Sequence, residues 1–136
     1  MKIAQDHALA KLADSGLDAP LPRLECFSSR FTDYEITLHV PEYTSVCPKT
    51  GHPDFGVLTL TYVPARSCVE LKAFKHYIHA YRNLGIAYEN AVNRIARDFR
   101  RAVQPRWLCL VGEFTPRGGI RSTVKVTLGK RPIRGI

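Results

Sequence analysis

The chain has 136 residues, 45% of them hydrophobic, which is enough for one domain with an ordinary core and excludes wholesale disorder. Its 20 Lys and Arg against 12 Asp and Glu give a formal charge of +8, a balance that favours phosphates, nucleotides or RNA without choosing among them. Cys26, Cys47, Cys68 and Cys109 form no CxxC pair, and no apolar run approaches about 18 residues; zinc-ribbon spacing, a dense disulfide framework and a membrane span are excluded, and a reducing cytoplasm is expected.

Residues 1–23 read as an arm. Ile3, Ala4, Ala8, Leu9 and Leu12 carry a short helical pattern that breaks at Gly16, Pro20 and Pro22. A single domain is expected over 24–128, followed by a short basic tail at 129–136. From Asp33 to Val40 the pattern alternates, with Tyr34, Ile36, Leu38 and Val40 on one face, so a half-buried strand is expected. Phe55 to Val63 reads as a second strand, ended by Pro64.

Ser67 and Glu70 fit a capping box, which predicts a helix from that point. Val69, Ala73, Phe74, Tyr77, Ile78 and Tyr81 form its apolar stripe, and Gly85 is placed near its C-cap. Tyr88, Ala91, Val92, Ile95, Phe99 and Val103 define a second helix closed by Pro105. Trp107–Phe114 and the alternating Val124, Val126 and Leu128 are two further strands joined by a turn at 115–119. The order ββααββ predicts an α+β fold, a four-stranded antiparallel sheet with two antiparallel helices on one face. Such a sheet has two free edges, and pairing them between copies would give a ring.

Between the first two strands lies Cys47-Pro48-Lys49-Thr50-Gly51-His52-Pro53-Asp54. Two further prolines and a glycine between thiol and carboxylate favour a rigid turn. A cysteine beside a base or positive charge is a nucleophile, and a carboxylate kept protonated by burial is an acid. A buried structural thiol with a turn carboxylate fits the same residues. On the first helix Lys72, Lys75, His79 and Arg82 fall within roughly a 100° sector. That stripe reads as an ordinary solvated face or as a ridge for a phosphate-bearing cofactor. His76 and His79 lack a third ligand, so no metal is assigned. Glu89 opens the second helix, where the dipole favours a carboxylate. It borders the apolar stripe, so partial burial is expected, with the capacity to pair with a heterocycle's N–H groups; Tyr88 beside it is core or stacks on such a ring.

Four segments, taken in order, resemble a known family. They are Ser45-Val46-Cys47-Pro48-Lys49-Thr50-Gly51-His52-Pro53-Asp54-Phe55; Val69-Glu70-Leu71-Lys72-Ala73-Phe74-Lys75; Tyr81-Arg82-Asn83 with Tyr88-Glu89; and Phe114-Thr115-Pro116-Arg117-Gly118-Gly119. The chain resembles the unimodular 7-cyano-7-deazaguanine reductases, NADPH-dependent nitrile reductases of queuosine biosynthesis in the tunnelling-fold superfamily. The resemblance implies that Cys47 attacks the nitrile carbon to form a thioimide and that Asp54 protonates the nitrile nitrogen. It implies Glu89, with Tyr88, as the anchor of the deazaguanine ring. For NADPH it implies Glu70, Leu71, Lys72 and Lys75, joined by Arg82 and Arg117. It implies as well a homo-oligomer whose sheets join into a barrel, with sites at subunit interfaces and no stable nucleic-acid partner. Two positions depart from the family pattern: Tyr88 stands where a histidine is frequent, and His76 where leucine or tyrosine is usual. Another tunnelling-fold purine or pterin enzyme, such as a tRNA amidinotransferase, shares the Glu89 anchor; Lys72 and Lys75 favour reduction. A basic RNA-binding module would rest on the charge alone, without interleaved exposed aromatics.

Overall fold

The computed structural model describes residues 9–132. Its main sheet has the order β2-β3-β5-β6, with β2 (Ile36–Val46), β3 (Pro53–Val63), β5 (Trp107–Arg117) and β6 (Ile120–Gly129) all antiparallel. The alternation that predicts the strands sets their faces. Leu58, Leu60 and Tyr62 of β3 and Leu108 and Leu110 of β5 point into one core. Helix α2 (Leu71–His79) adds Phe74, Tyr77 and Ile78 to that core, and α3 (Tyr88–Val103) adds Val92, Ile95 and Phe99. Phe99 stands at the junction, its ring 4.8 Å from that of Tyr62 and 6.2 Å from that of Phe74. The α+β architecture is the expected one. Among the described residues no helix is long and apolar enough to cross a membrane.

Two three-residue strands were not expected. β1 (Cys26–Ser28) pairs with β4 (Ser67–Val69), so the order is ββββααββ. This pairing overturns the capping box. Ser67 is committed to β4, and the N–H of Glu70 is held by the Glu25 carbonyl at 2.8 Å. Glu70 becomes the N-cap itself, its carboxylate accepting from the N–H groups of Lys72 at 2.8 Å and Ala73 at 2.9 Å.

Other boundaries also shift. β2 runs past Pro41 because the ladder passes from Val40↔Leu58 to Tyr43↔Gly56, a bulge that leaves Pro41 and Glu42 outside the pairing. A proline there forfeits no ladder bond, and the strand continues to Val46 on the sheet edge. At its other end, Tyr34 lies outside the strand, its hydroxyl within hydrogen-bond distance of Ser29 Oγ at 2.7 Å and Cys68 Sγ at 3.3 Å. β3 starts earlier than expected, so Asp54 belongs to the strand, paired with Ser45, and not to the turn. Gly85 is no left-handed cap. α2 runs into a 3-10 turn, Ala80–Asn83, and Gly85 makes a parallel bridge with Val46. α3 ends at Gln104, which takes the left-handed conformation with φ 52° ahead of Pro105.

Of the arm, residues 9–14 are helical (α1). Ile3, Ala4 and Ala8 of the expected pattern lie outside the described residues. At the other terminus Gly129 still pairs with Trp107 in the sheet, and Arg131 lies over the Trp107 ring at 4.7 Å and bonds Glu35 at 2.8 Å.

Candidate active site

The β2–β3 hairpin builds the site. Its tip runs from Cys47 to His52 and is closed by two backbone bonds of 2.8 Å: Cys47 donates to the His52 carbonyl, and Gly51 donates to that of Cys47. Gly51 adopts φ +75°, which only a residue without a Cβ takes freely. Below the tip the segment 84–86 grips Val46 from both sides. Val46 donates to Leu84 at 3.0 Å, and Ile86 donates to Val46 at 2.9 Å. The residue before Cys47 is therefore held by two elements.

Cys47 is buried and unoxidised. Burial pushes its thiol up, but hydrogen bonds from the hydroxyl and N–H of Thr50, the N–H of Lys49 and the guanidinium of Arg117 outweigh it. Together they bring the pKa from 9.0 down to about 7. The balance is that of a nucleophile, since near neutral pH a large fraction is thiolate.

Asp54 is 5% exposed, one of two buried polar side chains among the described residues. Its carboxylate pairs with the guanidinium of Arg117, the last residue of β5, brought across by the β3–β5 ladder. Arg117 thus gives the buried carboxylate a charged hydrogen-bonding partner.

Cys47, Asp54 and Arg117 open on a cavity of about 620 Å³ that Tyr88 and Glu89 also line. Glu89 is exposed, against the expectation of partial burial, because the first turn of α3 projects it away from the core. Tyr88 is half-buried. Its ring stacks on Phe114 at 4.0 Å and 7°, and its hydroxyl donates to Ser122 Oγ at 2.9 Å. One face and the polar tip of Tyr88 are already engaged.

The residues assigned to a cofactor divide. Arg117 stands with Cys47 and Asp54. Glu70 spends its carboxylate on the α2 cap, and the two backbone bonds lower its pKa. Leu71 is 66% exposed, and Lys72 and Lys75 are exposed and carry no ion pair among the described residues. None of these four lines the Cys47 cavity. Arg82 lines a different cavity, of about 660 Å³, with His79 and Arg121. Unpaired cations and an uncovered apolar side chain fit a phosphate-bearing cofactor, but one copy of the chain does not bring them to Cys47.

Sequence reasoning gave no individual role to Thr50, whose hydroxyl and N–H stabilise the thiolate, nor any part to Leu9, Leu12, Ala13 and Asn90, which complete the cavity wall. Thr50 was legible as a neighbour in the turn. The arm was not, because a short amphipathic segment carries no mark of where it docks.

The family model described as "QueF-like protein" matches residues 53–132. The chain is 46% identical over 128 residues to the NADPH-dependent 7-cyano-7-deazaguanine reductase of Elusimicrobium minutum (strain Pei191), with 93% of each chain covered. It is 53% identical over 95 residues to the protein of that name from Rhodopirellula baltica (strain DSM 10527 / NCIMB 13988 / SH1), covering 70% of this chain and 78% of that protein. Among solved structures, the apo archaeosine synthase QueF-Like matches with a TM-score of 0.68 and 20% identity, over 75% of this chain and all of that one. At that identity the likeness carries the fold alone, and it agrees with the tunnelling fold expected from the sequence; the four-stranded sheet is open in the single chain.

Proposed function

Since this chain belongs to the QueF-like protein family, we propose that it reduces the nitrile of 7-cyano-7-deazaguanine to the aminomethyl base with NADPH, in queuosine modification of tRNA. The observation that carries the chemistry is the buried Cys47 thiol, brought to a pKa of about 7 next to Asp54 and Arg117 at one cavity. The names of the relatives supply the substrate.

Cys47 is the nucleophile. Its sulfur bonds to the nitrile carbon, one π pair of the C≡N bond moves to nitrogen, and the proton lost by the thiol passes through Asp54 to that nitrogen, leaving a thioimide. Arg117 favours this relay at both ends, stabilising the thiolate before attack and the carboxylate after the proton has gone. NADPH supplies hydride, and converting a nitrile to a primary amine takes four electrons, hence two NADPH per nitrile. Between the two reductions the sulfur departs, and the bonds from Thr50 and Lys49 that lower the thiol pKa make it a better leaving group.

Glu89 is free at the cavity mouth to accept from the N–H groups of the ring, with Tyr88 beside it. Leu71, Lys72, Lys75 and Arg82 hold NADPH, and Glu70 acts by fixing the start of the helix that carries three of them. Because α2 does not line the Cys47 cavity, the complete site is formed between copies, α2 of one facing the cavity of another, in a ring whose sheets join at the free edges β2 and β6. Four free thiols accord with work in the cytoplasm.

The test is intact-protein mass spectrometry after incubation with 7-cyano-7-deazaguanine and no NADPH. The wild type is expected to gain the mass of one nitrile base, Asp54→Asn to gain it about 10²-fold more slowly or worse, and Cys47→Ala to gain none. An adduct retained by Cys47→Ala would move the nucleophile elsewhere.

A further inference from the structure

The polar groups of the cavity at Cys47 come from Cys47, Lys49, Thr50, Asp54, Glu89 and Arg117. Its apolar wall comes from Ala87 and Tyr88 at the start of α3 and from the arm, through Leu9, Leu12 and Ala13. Leu9 is a large apolar side chain left 56% exposed by the described residues. We infer that the arm is the apolar face of the substrate site, and that Asn90 and Arg94 are positioning residues that hold it there. The identity of the ring it packs against rests on the function proposed above.

The arm is fastened by specific bonds. Asn90 Nδ2 donates to the carbonyls of Leu12 at 3.2 Å and Ala13 at 2.9 Å, the last helical turn before the chain reverses. One helical turn further along α3, Arg94 donates to Gly16 O at 2.6 Å and to Ala19 O at 2.5 Å. Its Nε is engaged by Asp98 at 3.3 Å, and Asp98 accepts in turn from Tyr77 at 2.6 Å. The rigid guanidinium fork thus spends its donors on two arm carbonyls and on a carboxylate already fixed by the core. Asn90 and Arg94 stand at i and i+4, one ridge of α3, directly after Glu89.

A second observation ties the arm to the thiol. Gly16 adopts φ +82°, and a Cβ there would lie 2.6 Å from both the Gly85 carbonyl and the Ile86 Cβ. The arm therefore presses on the 84–86 segment that grips Val46, the residue before Cys47. A flat heterocycle whose edge is held by Glu89 needs an apolar surface against its face, and Leu9 and Leu12 provide one. Its contribution is to substrate affinity, while the hydrogen bonds that set the Cys47 thiol come from Thr50, Lys49 and Arg117 and not from the arm.

Asn90→Ala, Leu12→Ala and Arg94→Gln, each in the full chain, separate these roles. Labelling of the buried Cys47 by a bulky maleimide without substrate, mapped by peptide mass because Cys26 is exposed, is expected to accelerate about tenfold in Asn90→Ala and Arg94→Gln. The pH at which labelling is half-maximal should stay where it is in the wild type. For the nitrile base, KM is expected to rise about tenfold in all three, more than kcat falls. If Arg94→Gln does not fold, the other two carry the test. Unchanged labelling in Asn90→Ala, with unchanged KM in Leu12→Ala, would overturn the inference. Accelerated labelling in a protein that never turns over the nitrile base would keep the wall and reject the substrate.

Discussion

Arg117 is the residue on which the chemistry turns. It bonds the Cys47 thiolate and pairs with the Asp54 carboxylate, so one cation touches both partners of the proposed proton relay. Removing hydrogen bonds that favour a thiolate raises its pKa. Alkylation of wild-type Cys47 by iodoacetamide should therefore rise with pH to a plateau with its midpoint at about 7. In Arg117→Ala or Thr50→Ala the midpoint should move up toward 9.0, with slower reaction at pH 7. A midpoint that stays at about 7 in both variants would remove these groups from the account. By linkage, a thiol depressed on folding adds stability that is full above the unfolded value of 9.0 and is lost as the pH falls through about 7. At this scale Cys47 and Asp54 were legible in the sequence, since prolines and glycine around them announce a turn. The place of Arg117 beside them was not, because it follows from the register of the β3–β5 ladder, which brings together two side chains 63 positions apart.

At the scale of elements, strand β5 supports Tyr88 through Phe114. Its ring stacks under Tyr88 and fills the space left by two glycines: a Cβ on Gly56 would fall 2.5 Å from Phe114 Cδ1, and one on Gly112 2.8 Å from Cε2. Gly112→Ala is thus expected to overpack the core, costing about 1–3 kcal/mol in a urea titration and displacing Phe114 against Tyr88. Gly85→Ala, whose added Cβ meets nothing within 4 Å, should stay within about 0.5 kcal/mol of wild type. Equal losses in the two variants would contradict this packing. The four long strands and both helices were legible from their periodicity. Their ends were not. Ser67 is drawn into β4 by a partner strand some forty positions earlier, and β2 passes Pro41 because a bulge takes the proline out of the ladder. Cap and proline rules describe local preferences, which distant pairing overrode.

For the whole molecule, the open sheet and the divided site point the same way. The exposed Lys72 and Lys75 and the Cys47 cavity lie apart in one chain, and among the described residues β2, apart from its bridge at Val46, and β6 stand as the two edges of the sheet. The sequence showed that edges exist, since four strands in this order leave two; it could not show how another copy meets them, because burial across an interface leaves no period in a single chain. If the site is shared between copies, mixing inactive Cys47→Ala with inactive Lys72→Ala/Lys75→Ala and letting subunits exchange restores part of the NADPH oxidation that neither shows alone. The central claim is tested most directly by that same assay on the wild type. With 7-cyano-7-deazaguanine present, absorbance at the nicotinamide band should fall by two NADPH for each nitrile converted to the primary amine. A folded preparation with its Cys47 thiol titrated as free that leaves both NADPH and nitrile unchanged would contradict the account.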